Sequence, residues 1–303
     1  MLNAQAAEYK KPEFILALTI TGVGVDIRLN DISIESEKYS GHSTMTYEVN
    51  PSVIAGVNEL KVITFPFMNK EWSEGQTKDY HEEAEVKAAL YVHEQGDDNK
   101  TLLSQIHLRP GLPLDSMASE SISIDGLGGV VIDDKSQPLS FPVITFDQQI
   151  TATRKSLPVQ DSFLRWAWQD GQVIEDTQEN YDSLLAAYRE IYEAYKNNDR
   201  KKLLELHAPR SAEYAIANYL DGGVDAGHEL MNTGKRLDDP DSELDEFTTA
   251  ETKLDIYANG RMARIIDAAE YHPFIFQHKT MDLIHTLKFG FYKNKAGEWV
   301  MIR

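Results

Sequence analysis

The sequence contains no cysteine, which excludes disulfides, thiolate metal centres and a cysteine nucleophile, and leaves the redox compartment open. Positive charge is scarce as well: 30 Lys and Arg face 49 Asp and Glu, a formal charge of -19, with no basic block in either half. Such a field repels phosphate backbones and anionic lipid, so nucleic acid and membrane surfaces are poor partners, whereas a basic protein or a cation is attracted. No apolar run approaches the roughly 20 residues of a membrane-spanning helix, so no integral membrane segment is expected.

The local signatures of common reactions are missing too. Gly126-Leu127-Gly128-Gly129-Val130 opens like a dinucleotide fingerprint but lacks the third glycine and lies between strand patterns, which suits a turn or bulge rather than a phosphate cradle. There is no G-x-S-x-G elbow, and His81-Glu82-Glu83 lacks the second histidine of a zinc-protease helix. No cofactor and no metal are expected.

What is present is organised around one stretch. Tyr181, Leu184, Leu185, Tyr188, Ile191, Tyr192 and Tyr195 fall on a 3.6-residue period, an amphipathic helix. Before it the pattern is of strands; after it come helices and then strands again. At 303 residues two domains are expected.

Residues 1–12 read as a flexible arm. Ala4-Gln5-Ala6 also suits the small-residue end of a secretory signal, and a periplasmic or secreted location stands level with a cytoplasmic one. Residues 13–158 carry short β-branched or alternating runs separated by turn residues, the spacing of an all-β sandwich. Residues 159–176 form a connecting segment rich in tryptophan, in which Trp166 and Trp168 are expected to lock a domain junction and Asp170-Gly171 to make a tight turn.

Residues 177–303 read as an α+β domain. Asp199 caps a second helix that Pro209 stops, a third carries Tyr214 to Leu220, and Val224 to Leu237 is a candidate fourth. Strands follow over Leu254 to Ala258, Met262 to Ala268, Phe274 to Gln277, Leu283 to Tyr292 and Glu298 to Ile302, with Asn259-Gly260 as a hairpin turn.

Two resemblances accompany this reading. Gly24 to Asn30, Pro51 to Gly56 and Asn58 to Val62 resemble segments of the accessory β-sandwiches of secreted bacterial proteins. The second half, with its long first helix, Asn197-Asn198-Asp199, Gly290-Phe291-Tyr292-Lys293 and Gly297-Glu298-Trp299-Val300, is similar to the cone of the nuclear transport factor 2-like, or cystatin-like, proteins. Uncharacterised bacterial proteins that join two such parts through a Trp-rich segment are also similar, and imply no activity. Enzymes of the cone type hold an acid or base inside apolar walls. That implies His285, on a stripe with Leu283, Leu287, Phe289 and Phe291, with Asp267 as carboxylate partner and Tyr257 or Tyr188 as hydroxyl donor.

Surface candidates complete the inventory. Asp238 to Glu243 alternates oxygen ligands but lacks the glycine and distal glutamate of an EF-hand loop. Two acidic loops, with Trp72 and Tyr80 in one and Asp239 and Asp241 in the other, could meet a basic protein. The expected role is a non-catalytic exported bacterial protein that binds another protein, as an inhibitor, immunity-type or envelope-assembly factor. The alternative is a small-molecule enzyme or binder built on His285 and Asp267.

Overall fold

The computed structural model describes residues 9–66, 80, 82–110, 150–249, 252–267, 272–281 and 284–303. The expected strands at 122–124, 130–132 and 139–146, the 126–130 glycine run and Trp72 lie outside them. The chain divides into two compact units, Met1–Leu164 and Arg165–Arg303. The described helices longer than one turn all lie in the second unit; the described residues of the first are built mainly of strands.

The first unit is built on a long hairpin of β1 (Pro12–Leu29) and β2 (Ile32–Glu48). Asn30 and Asp31, at φ 53° and 63°, make its two-residue turn, the left-handed pair whose twist matches the flanking strands. β2 runs along one side of β1. On the other side β4 (Glu85–Glu94) pairs the first half of β1, and β3 (Glu59–Phe65) pairs the second. β5 (Thr101–Leu108) extends β4, and β6 (Ile150–Lys155) extends β3.

The fork falls where the ladder shifts between Thr21 and Val23, with Gly22 at φ 58°. There the fully buried large residues change from even numbers (Phe14, Leu16, Leu18, Ile20) to odd ones (Val23, Val25, Ile27, Leu29). A regular strand would present these two sets on opposite faces; the irregularity re-aims the second half so that both are buried.

The second unit opens with one 3₁₀ turn, Ala167–Asp170. Three helices follow: α1 (Gln178–Lys196), α2 (Arg200–Ala217) and α3 (Gly223–Leu230). Thr177 and Asp199 cap the first two through their side-chain oxygens. The helices accompany a three-stranded antiparallel sheet of β7 (Ser242–Leu244), β10 (Phe274–His278) and β11 (Ile284–Leu287). A four-stranded one contains β8 (Lys253–Tyr257), β9 (Met262–Ile266), β12 (Phe291–Lys293) and β13 (Trp299–Met301). Asn259 and Gly260 turn the β8–β9 hairpin with positive φ.

Two expectations are corrected. Pro209 does not stop a helix: α2 passes through it, so the second and third expected helices are one. Proline removes a single donor, and the carbonyl that loses its partner is that of Glu205; both residues are exposed, so water satisfies it. The expected strand Leu283 to Tyr292 is broken into β11 and β12, with Phe289 and Gly290 between them.

Candidate functional site

The apolar face of α1 presents Leu184, Tyr188, Ile191 and Tyr195 to Phe274, Phe276, Phe289 and Phe291. Tyr188 is fully buried, with the Phe274 and Phe291 rings 5.8 and 5.2 Å from its own. Its hydroxyl donates to the Phe289 carbonyl at 3.0 Å and accepts from the Ile265 amide at 3.2 Å. Phe291 pairs with Ala263 across β12 and β9, so in the same register Phe289 would face Ile265. The tyrosine oxygen therefore stands where the next ladder bond would form and closes the gap where the strand breaks. Burial raises its pKa, and with one proton and an acceptor position both used it is a structural group rather than a free acid.

Tyr257 is sealed as well. A Cβ on Gly290 would lie 2.0 Å from the Tyr257 hydroxyl, so glycine there lets the backbone approach the phenol. Burial pushes the Tyr257 pKa up to about 12.

Several interior titratable groups that sequence reading missed lie on α2. Leu203, His207, Ser211 and Ala215 repeat every fourth residue and are all buried, the inward stripe of the helix. His207 is 1% exposed and neither of its ring nitrogens has a hydrogen-bond partner. The Tyr195 and Phe289 rings lie 6.3 and 5.5 Å from it, steeply inclined at 87° and 75°. Desolvation, then the Arg210 and His228 charges, hold its pKa down to about 3.

One turn further, Arg210 lies 5.8 Å from the Tyr214 ring centre, and its Nε is buried without a partner. Desolvation lowers its pKa. Glu213 is already used: Oε2 accepts from Arg303 at 2.7 Å and Oε1 from the Ala167 amide at 3.0 Å. The stripe was hidden in the sequence because ending the helix at Pro209 cut it in two.

Ser211 and His228 approach to 2.8 Å through Oγ and Nδ1, a pair that resembles an activated nucleophile. Ser211 is 0% exposed, and a Cβ on Gly227 would stand 1.9 Å from its carbonyl oxygen. The pair is the packing seam of α2 and α3, with no room for a substrate.

The sequence candidates are placed as follows. His285 is half-buried on β11, opposite Phe276 of β10, in the three-stranded sheet. Asp267 follows β9 of the four-stranded sheet. Trp166 and Trp168 are 2% and 4% exposed and belong to the second unit. Tyr80, expected as a partner-binding aromatic of the first acidic loop, is half-buried and donates to the Thr64 carbonyl at 2.8 Å; burial raises its pKa to about 12.

Asp239 and Asp241 meet His278, their ligand atoms all within 4.8 Å of one another. The loop is set by its own backbone: the Asp241 amide donates to Asp239 Oδ1 at 3.0 Å and the Lys279 amide to the Asp241 carbonyl at 2.9 Å. His278 Nδ1 accepts from the Thr280 and Met281 amides at 3.3 and 3.2 Å, which puts the proton of a neutral ring on Nε2. Nε2 faces Asp239 Oδ2 at 3.6 Å. A metal-bound histidine instead donates through its second nitrogen, so the trio suits a histidine–aspartate contact better than a metal centre.

Chemically, the described residues of the second unit offer sealed acids and bases in its interior and a preformed acidic loop at its surface. No protein family, curated protein or solved structure matches the chain.

Proposed function

We propose that the chain is a non-catalytic binding protein that meets a basic protein partner through the Asp239–Asp241 loop. The observation that carries this is the contrast between two sets of groups. The Tyr188 hydroxyl is spent on the backbone and Tyr257 is packed against Gly290, whereas Asp239 and Asp241 are partly exposed on a loop held by backbone hydrogen bonds. A loop already ordered loses less freedom on binding, and a charge of -19 speeds encounter with a cationic surface. The same reading takes the forked ladders of the first unit as a β-sandwich and the second unit as a nuclear transport factor 2-like cone.

The test is affinity capture from the source organism with wild type, the double variant Asp239→Asn/Asp241→Asn, and His285→Ala. A partner that is held by wild type and His285→Ala, released by salt, and lost with the double variant supports the reading. Capture indifferent to the double variant, or a turnover that His285→Ala abolishes, overturns it.

A further inference from the structure

We propose that residues 42–48 of β2 form a dimer edge, pairing antiparallel with the same residues of a second copy of this chain across a twofold axis at Met45. Among the described residues β2 bonds to β1 alone, so its far side presents a row of backbone amides and carbonyls without strand partners. Such a row is a template for another strand. The register with β1 is continuous from Ile15 opposite Glu48 to Thr21 opposite His42, so no bulge twists this arm away from a newcomer. His42, Thr44, Thr46 and Glu48 stand exposed along one face of it.

Charge and symmetry identify the occupant. Sheet edges are ordinarily defended by lysine, proline or inward charge, and the other arm of β2 follows that rule. There Glu35 is buried, accepting from the Tyr39 hydroxyl at 2.9 Å, and Glu37 follows it. Residues 43–47, by contrast, carry neither charge nor proline, in a chain of formal charge -19. A basic strand would find a single carboxylate, Glu48, to meet in this arm. A second copy fits better. A twofold axis normal to the sheet at Met45 keeps the exposed faces of both copies on one side and sets Thr44 opposite Thr46, Ser43 opposite Tyr47 and His42 opposite Glu48. Threonine pairs support one another across strands, and each Glu48 meets an imidazole instead of another carboxylate. Sliding the register by two residues in either direction shortens the ladder.

This edge is independent of the Asp239–Asp241 loop, and the experiment keeps the two apart. Sedimentation of the full chain over a concentration series, at low and high salt, follows the monomer–dimer equilibrium of wild type, Asp239→Asn/Asp241→Asn and Thr44→Lys/Thr46→Lys. Wild type and the loop variant are expected to dimerise, more tightly in high salt, because screening relieves the repulsion between two acidic bodies. Thr44→Lys/Thr46→Lys lowers the net negative charge but sets like charges opposite one another across the axis, so its dimer weakens by about tenfold or more. If that variant does not fold, cross-linking decides, since the chain has no cysteine of its own. With a short bis-maleimide, Thr46→Cys, close to the axis, is expected to give a covalent dimer and Glu37→Cys, on the other arm, none. A chain that stays monomeric at every concentration overturns the proposal, even where the edge takes up a strand of another protein. So does a dimer that Thr44→Lys/Thr46→Lys leaves intact, or one that Glu37→Cys cross-links as readily as Thr46→Cys.

Discussion

At the scale of single residues, Tyr188 shows how a plausible acid becomes a structural post. Tyr188→Phe keeps the ring and removes the oxygen between Ile265 and Phe289, leaving a buried donor and acceptor facing each other across a space too wide to bridge. The expected loss is about 1–3 kcal/mol, read as a lower urea midpoint with unchanged slope. His207 and His272 give a second prediction. Desolvation leads in both, and their pKa values fall from 6.5 to about 3. The unfolded chain then binds more protons than the folded one between those values, so stability rises with pH across that window. The contribution is fully present above about pH 6.5 and is lost as pH falls toward 3. His272→Leu should flatten that slope, measured by tryptophan fluorescence in a Trp72→Phe background, where every remaining tryptophan lies in the second unit. The tyrosine stripe of α1 was legible because periodicity reports burial. What the Tyr188 oxygen does was not, because its partners are two backbone atoms more than seventy residues away.

At the scale of elements, legibility depended on whether a local rule decided the outcome. Asn30-Asp31 and Asn259-Gly260 turn hairpins because left-handed conformations at these residues are a local matter. Pro209 misled because its cost is local while the gain that offsets it is not: the buried stripe from Leu203 to Ala215 runs through it. The α2–α3 seam is likewise tertiary. Gly227 lets the Ser211 carbonyl sit where a side chain would be, with an added Cβ 1.9 Å from that oxygen. Gly227→Ala must therefore push the helices apart, at a cost of about 2 kcal/mol or more of the kind that overpacking brings, although alanine favours a helix over glycine by about 1 kcal/mol. A lower melting temperature together with a displaced His228 signal, freed from Ser211, is the expected result; a more stable variant would mean that propensity outweighs the clash.

At the scale of the whole chain, composition suggested two bodies, and the contacts decide where one ends. Sequence patterning set residues 159–176 aside as a connector, because aromatics between two patterned regions carry no periodicity of their own. The structure divides at Leu164 and Arg165, and the following residues are built into the second unit. Trp166, Trp168 and Ile174 are buried, the Ala167 amide donates to Glu213, the Gln172 amide to Lys293, and the Ile174 amide to Gly260. Gly171 also packs where a side chain would meet the Lys293 carbonyl at 2.9 Å. This makes the choice of boundary measurable. A fragment of residues 165–303 should fold cooperatively, whereas one of residues 177–303, which keeps all three helices and both sheets, loses two indoles and an isoleucine from its core. At about 1.5–3 kcal/mol for each large apolar side chain, that loss exceeds about 4 kcal/mol and approaches the whole stability of a small domain. The shorter fragment should therefore populate unfolded chain at low urea, with the Glu213 carboxylate deprived of the Ala167 amide. Equal unfolding midpoints for the two fragments would show that the tryptophan segment only covers the unit's surface.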